Sequence, residues 1–481
     1  MRFARYIQQK VRPFPWIYHF SISIYSIYEE VRFFFHAVYT GKLLNKFNKN
    51  RLMDFLSRQE ILVYPVDDLT VRTTGDLRQW LKKNNIAFKE GGWTFYLPPQ
   101  DGLWRSFGNI LSNYPGNSGL KILKNLRPPN QARYTNHKQN PAPGAALKRL
   151  LTPTPTALMR VANYLYAHGL GIRVYDLIAL RCGNRLLTCY VVQHVDGPEI
   201  RQKDYDDFIN RLKSILDQGD LSTIHEETDT MWDFQPLDCN GNLIGNDNGG
   251  KPLFVDFQAF FLRNESKILK RILMEIQDKA HFGGAPFYTG GRKYLYEGIP
   301  GISIGSRNVK TRWQHYREML EECGCSVSNR VVYDAGCNTG LTLYNALSCG
   351  ALWGIGWDMP EITKSAERLL LSLGATRFDL FGDRIMGDYD FIKSVPARFK
   401  PRKNGILFFV EAGDHIGLPS GLEAIPWEYM FYDRRDDQDY EMSLKLMGQI
   451  PWLKDVEIIS HRVFADGDLP KRVVILLRRQ Q

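Results

Sequence analysis

The sequence predicts an α/β protein with an open, largely parallel sheet in its C-terminal half and an α+β domain before it. Three observations predict this. From Val331 to Asp358 an apolar run, a glycine-containing turn, a stretch with helical spacing and a second apolar run follow one another, which makes one βαβ unit. Beyond Asp358 the alternation of strand-like and helix-like stretches continues to the C-terminus. Between residues 156 and 195, by contrast, a helical stretch leads into two apolar runs joined by Gly183-Asn184, the pattern of an antiparallel pair.

Composition bounds the reading. A chain of 481 residues exceeds one ordinary core, so several domains are expected, and 44% hydrophobic residues exclude a disordered chain. A net charge of +10 favours an acidic partner: a membrane surface, a nucleic acid or a phosphorylated substrate. Seven scattered cysteines form neither a disulfide framework nor a zinc spacing, which fits reduced thiols in the cytoplasm.

In residues 1–50, Arg2, Arg5, Lys10 and Arg12 precede an aromatic, β-branched run from Pro13. Glu29, Glu30 and Arg32 interrupt it before it reaches the length of a transmembrane helix, and no small-residue cleavage site follows. Basic flanks with aromatic residues suit a segment lying peripherally on an anionic inner membrane; the alternative is a helix docked on the protein's own surface. Residues 51–100 read as a small α+β module of docking character. In it Thr74 caps a helix with Leu77, Trp80 and Leu81 on one face, and a strand at 93–97 stops at Pro98-Pro99.

Residues 101–280 hold a helix at 156–170, a strand from Arg173, a second strand at 186–195 and the exit Asp196-Gly197-Pro198. Further on come Trp232-Asp-Phe-Gln-Pro-Leu-Asp-Cys-Asn-Gly-Asn and Leu253-Phe-Val-Asp-Phe-Gln. Together these resemble the small lobe, hinge, catalytic loop and metal-binding motif of kinase-like phosphotransferases, including the aminoglycoside and sugar kinase branch. The resemblance implies ATP and Mg2+, with Asp233 as the base, Asn240 or Asn242 and Asp256 on the metal, and Lys121, Lys124 or Lys138 on the phosphates. The sequence departs from that pattern: no His or Arg precedes the base, Gly116-Asn-Ser-Gly119 replaces a full glycine-rich loop, and no helical glutamate stands out. Active phosphotransfer and a degenerate, substrate-holding domain both remain open.

A helix at 264–279 and the pairs Gly283-Gly284 and Gly290-Gly291 mark the passage to the last domain, 290–481. Its elements are the βαβ unit, a helix at 360–373 ending at Gly374, strands at 376–380, 405–411 and 429–432, a helix at 441–447 and a closing antiparallel pair at 456–464 and 471–477. The turn Asp334-Ala-Gly-Cys-Asn-Thr-Gly340 fits neither the dinucleotide nor the triphosphate glycine pattern. It resembles the first motif of class I S-adenosylmethionine-dependent methyltransferases, D-x-G-C-x-x-G, with Asn338 where many members have a third glycine; Asp358 matches their second motif.

This resemblance implies a Rossmann-like sheet of seven strands. Asp334, Gly336, Asn338 and Gly340 would form the turn around methionine and ribose, Asp358 would meet the ribose hydroxyls and Asp383 the adenine amine. Arg307 would meet the cofactor carboxylate, while Arg312 is expected on a helix surface. Glu411, Asp414 and His415 stand at the end of the fourth strand, where substrates enter open sheets. His415, near its ordinary pKa, suits proton removal from a hydroxyl, although a phosphate acceptor would need only a positive clamp.

A kinase-like and a methyltransferase-like unit on one chain resemble the bifunctional enzymes that cap bacterial O-antigen polysaccharides, whose domain order is the reverse. The resemblance implies methylation of a saccharide or glycolipid hydroxyl or phosphate. The alternatives are an RNA methyltransferase, for which no RNA-binding motif is found, and a non-enzymatic scaffold.

Overall fold

A computed structural model of the chain describes residues 61–66, 68–91, 94–100, 107–124, 155–197, 211, 243–246, 250–254, 287–289, 292–297, 305–385, 387–410, 419–434, 440–453, 456–467 and 469–479.

The first sheet contains β1 (Val63–Pro65), β2 (Lys89–Glu90), β3 (Thr94–Leu97), β4 (Ser118–Leu123), β5 (Val174–Cys182) and β6 (Arg185–Gln193) in the order β1-β5-β6-β4-β3-β2. Only the β1–β5 pair is parallel. The boundary expected near residue 100 falls inside this sheet, because β3 pairs with β4. Strands β1, β2 and β3 therefore lie in the same sheet as β4, β5 and β6.

Helix α1 (Thr74–Lys83) is capped by Thr73, not Thr74. Of two adjacent threonines, Thr73 alone lies three residues before Asp76, so the two side chains cap each other's backbone N–H groups. Such a cap contributes about 1 kcal/mol. Helix α2 (Pro155–Ala167) is shorter than predicted and ends ahead of Gly169, which adopts a positive φ of 67°. Two small hairpins follow: β7 (Leu243–Asn246) with β8 (Gly250–Phe254), and β9 (Phe287–Thr289) with β10 (Arg292–Glu297), which also pairs in parallel with β11 (Gly305–Arg307). The helix predicted at 264–279 and the four linker glycines lie outside the described residues.

Helix α3 (Val309–Glu322) opens the last domain. After it come β12 (Val331–Ala335), α4 (Leu341–Ser348), β13 (Trp353–Asp358), α5 (Pro360–Leu373), β14 (Phe378–Gly382), α6 (Phe391–Ser394), β15 (Gly405–Val410), β16 (Trp427–Arg434), α7 (Tyr440–Gly448), β17 (Val456–Asp466) and β18 (Leu469–Arg479). The seven strands order as β14-β13-β12-β15-β16-β18-β17, parallel except for β18, which runs antiparallel to both neighbours. Strands β12 and β15 in its middle are buried almost throughout, and apart from Asp334 and Tyr333 their residues are apolar. Strand β14 begins at Phe378, two residues later than predicted, since Thr376 and Arg377 turn away to Asp176 of β5.

The two sheets share one core. A single buried cluster runs from Phe95, Leu120 and Val191 through Trp353 and Phe399 to Leu407 and Ile475. Helix α2 lies against α5, and Tyr166 and Ala167 pack on the core formed by Leu369, Leu370 and Leu373. Arg173 closes the open edge of β14: its Nη2 donates to the Phe378 carbonyl at 2.6 Å, with the guanidinium over the Phe378 and Tyr175 rings. Among the described residues no helix is long and apolar enough to cross a membrane.

Candidate functional site

The parallel register sets Asp334 of β12 beside Gly356 of β13 and Phe408 of β15, at the carboxyl end of the central strands. The chain then turns into α4, and that turn is zipped to β13. Gly336 and Cys337 N–H both donate to the Trp357 carbonyl, at 2.9 and 3.1 Å. Asn338 sits at φ 45°, in the left-handed region that asparagine tolerates better than most side chains. Gly340, at φ 75°, starts α4, and a Cβ there would stand 2.8 Å from Leu370 Cδ1 of α5. The turn needs glycine at this position for its conformation and for its close approach to the neighbouring helix.

Asp358 fastens the same turn. Its Oδ2 accepts from Asn338 N–H and its Oδ1 from Met359 N–H, both at 2.8 Å, which fixes the plane of the carboxylate and leaves lone pairs for hydroxyls. Burial raises its pKa, against those two amides. Asp383, exposed past β14, donates its backbone N–H to the Asp358 carbonyl at 3.0 Å. Its Oδ2 accepts from the Tyr389 hydroxyl at 2.6 Å, and Trp357 Nε1 donates to Ser394 Oγ at 3.0 Å beside it. Met359 extends from this rim, 39% exposed.

Asp334 differs from both. It is 4% exposed, and among the described residues nothing donates a hydrogen bond to its carboxylate. Burial, then the carboxylates of Glu297 and Asp358, push its pKa well above the usual carboxylate range, with Arg312 pulling the other way. Three acidic groups thus converge beside the glycine turn, and the nearby arginine is already engaged. Among the described residues no group of side chains is placed to ligate a metal ion, and this arrangement leaves an excess of acidic groups beside the turn.

Below the turn lies a buried ionic network. Glu297 of β10 accepts from the Thr339 hydroxyl within the turn and from Arg312 Nη1 at 3.3 Å. Arg312 Nε donates to Asp466 Oδ2 at 3.1 Å. Arg472 bridges Asp466 and Asp433 at 2.9 and 2.7 Å, and Tyr316 donates to Asp433 at 3.2 Å. Arg312, expected on a helix surface, is therefore buried at 3% exposure, because α3 turns that face toward β17. Arg307, also buried, stands opposite Glu297 in the β10–β11 register.

In the first sheet the three candidate lysines separate. Lys124 is held by Glu90 at 2.7 Å on the surface, Lys138 lies outside the described residues, and Lys121 is buried on β4 at 8% exposure. Lys121 shares a sheet face with Tyr96 and Tyr190, and Tyr190 donates to the Pro155 carbonyl at the start of α2. Helix α2 contains no acidic residue. Asp233, Asn240, Asn242, Asp256, Glu411, Asp414 and His415 lie outside the described residues.

Glu297, Thr339, Tyr389 and the Asp433–Arg472–Asp466 group were not singled out from the sequence. The available signal was a charge bordering an apolar run, as in Arg472-Val-Val-Ile-Leu-Leu or Met430-Phe-Tyr-Asp433.

No known family and no curated protein matches this chain. Among solved structures it is similar to magnesium protoporphyrin IX methyltransferase of Synechocystis PCC 6803 with bound SAM, at 14% identity over 35% of this chain and 79% of that chain, TM-score 0.27. A SAM-dependent methyltransferase of Aquifex aeolicus matches at 14% identity over 34% and 97% of the two chains, TM-score 0.25. The ribosomal protein L11 methylase of Lactobacillus delbrueckii subsp. bulgaricus matches at 13% identity over 41% and 92%, TM-score 0.26. At such scores the reading of the site rests on this chain's own residues.

Proposed function

We propose that the C-terminal domain binds S-adenosylmethionine and transfers its methyl group. The observation that carries this reading is Asp334: a buried carboxylate with no hydrogen-bond donor among the described residues, beside the glycine turn, with its pKa raised by burial and by Glu297 and Asp358. A cationic ligand would neutralise this excess of negative charge, and the ammonium and sulfonium groups of S-adenosylmethionine are cations. Asp334 would hold the ammonium and Asp358, already oriented by two amides, the ribose hydroxyls. Asp383, with Tyr389 bound to it, would meet the adenine edge over Met359. Arg307 would meet the carboxylate. When bound, the cofactor supplies an electrophilic methyl group; the protein supplies orientation, exclusion of water and, from Glu411, Asp414 or His415, a base.

Calorimetry with S-adenosylmethionine tests this. The full chain is expected to bind it and the Asp334→Asn variant to lose most of the affinity; failure of the wild-type chain to bind would refute the reading.

A second reading concerns the first sheet, which we propose to be the nucleotide-binding lobe of a kinase-like domain using ATP and Mg2+. It is supported by the helix and hairpin of the sequence pattern joining a sheet in which Lys121 is buried on the helix-facing side. The absence of an acidic residue from α2 favours a weak or degenerate site. Two such units on one chain suggest a saccharide or glycolipid hydroxyl or phosphate as acceptor, worked on at an anionic membrane that residues 1–50 would touch. An RNA acceptor is the competing proposal, and an affinity falling steeply with salt would favour it.

A further inference from the structure

Tyr96 of β3 lies opposite Lys121 of β4 in the antiparallel register, so the two side chains rise from the same face of the first sheet. Gly119 lies two residues before Lys121 on that face. The Tyr96 ring leans across β4 over this glycine: a Cβ at Gly119 would stand 3.1 Å from both Tyr96 Cε2 and its hydroxyl, and 2.8 Å from the Leu97 carbonyl. Only the bare backbone of glycine leaves room for the ring. Beyond β4 the Tyr96 hydroxyl bonds His194 Nδ1, just past the end of β6, and the two rings are near parallel at 22°. His194 Nε2 is in turn 2.8 Å from Asp196. With Nε2–H directed at that carboxylate, Nδ1 is left as the acceptor for the phenol. Burial of the phenol, with Asp196 nearby, raises its pKa and keeps it protonated as a donor. The chain Asp196, His194, Tyr96 ties the exit of β6 to β3, and it crosses the face that carries Lys121.

A planar ring thus rests on glycine backbone, with its polar edge bonded at the strand exit and a buried lysine on the same face. We propose that Tyr96 decides what this face admits: its ring sits in the seat of the base, and a nucleoside triphosphate binds only after the Tyr96–His194 hydrogen bond opens. This rests on the reading of the first sheet as a nucleotide-binding lobe. The latch lowers apparent affinity by the fraction of molecules in which it is open, so removing the ring restores the intrinsic value.

The test is calorimetry with Mg-ATP on the full-length wild type, Tyr96→Ala and His194→Ala, with S-adenosylmethionine binding on the same samples as a check of folding. The expected result is Mg-ATP affinity about tenfold or more tighter in Tyr96→Ala, and a smaller gain in His194→Ala, which frees the hydroxyl but keeps the ring. If Tyr96→Ala fails to fold, a gain in His194→Ala supports the latch and no gain overturns it. Equal affinity in the wild type and folded Tyr96→Ala overturns the latch and leaves the nucleotide reading standing. Absence of Mg-ATP binding in every folded sample removes both.

Discussion

Arg377 Nε stands 3.4 Å from Asp176 Oδ2, and both side chains are buried where the first sheet meets the C-terminal domain. A bulge in β5 between Val174 and Asp176 aims the carboxylate across the boundary. Tyr114 donates to its Oδ2 at 2.7 Å, and Leu177 N–H and the Thr376 hydroxyl donate to Oδ1 at 2.8 and 3.4 Å. Removing one partner would leave the other buried without its counter-charge. Asp176→Ala and Arg377→Ala are each expected to cost about 3–5 kcal/mol, and the double variant clearly less than their sum. Urea unfolding of the four proteins measures this, and additive losses would show that the pair is not coupled.

Asp358 and the turn it fastens give a second expectation. Asp358→Ala removes the acceptor for Asn338 N–H and Met359 N–H as well as the proposed ribose partner. S-adenosylmethionine affinity should fall by about tenfold or more, with a loss of stability of about 1–2 kcal/mol from the two freed amides. Asp383→Asn keeps an acceptor for Tyr389 and should change affinity far less. A reversed order in calorimetry would displace Asp358 from the ligand.

The turn and its strands were legible in the sequence because glycines, a buried apolar run and a terminal carboxylate leave few other local structures. Strand β14 and helix α1 were legible only to within one or two residues, since Thr73 against Thr74 is decided by the reach of Asp76, and the start of β14 by an aspartate about two hundred residues earlier. Arg312 was misplaced for a related reason: helical spacing reveals a charged position, but its partners Glu297 and Asp466 come from separate strands. The Tyr96–His194 contact joins β3 to the residue just past β6, a strand that does not border β3, and no spacing along the chain encodes it.

Arg472, fully buried, holds Asp433 and Asp466 together beneath the turn. Arg472→Met would leave two carboxylates short of their cation, with an expected cost of about 3–5 kcal/mol in chemical denaturation. Because Asp466 also orients Arg312, and Arg312 orients Glu297 against Thr339, affinity for S-adenosylmethionine should weaken as well. A destabilised variant with unchanged affinity would confine the network to a structural role.

His168, just past α2, provides a pH dependence with a defined sign. Burial, with Arg368 of α5 nearby, pushes its imidazole from 6.5 down to about 4. As pH falls below 6.5 the unfolded chain takes up a proton that the folded chain refuses until about 4, so stability is lost across that window and is independent of this group above it. Full burial would make the loss about 3 kcal/mol; the ring is partly open to solvent, so about 1–2 kcal/mol is expected. Urea unfolding at about pH 7.5 and about pH 4.5 should show that loss in the wild type and a correspondingly smaller one in His168→Gln. Identical losses in both proteins would assign the acid sensitivity of the α2–α5 contact to other groups.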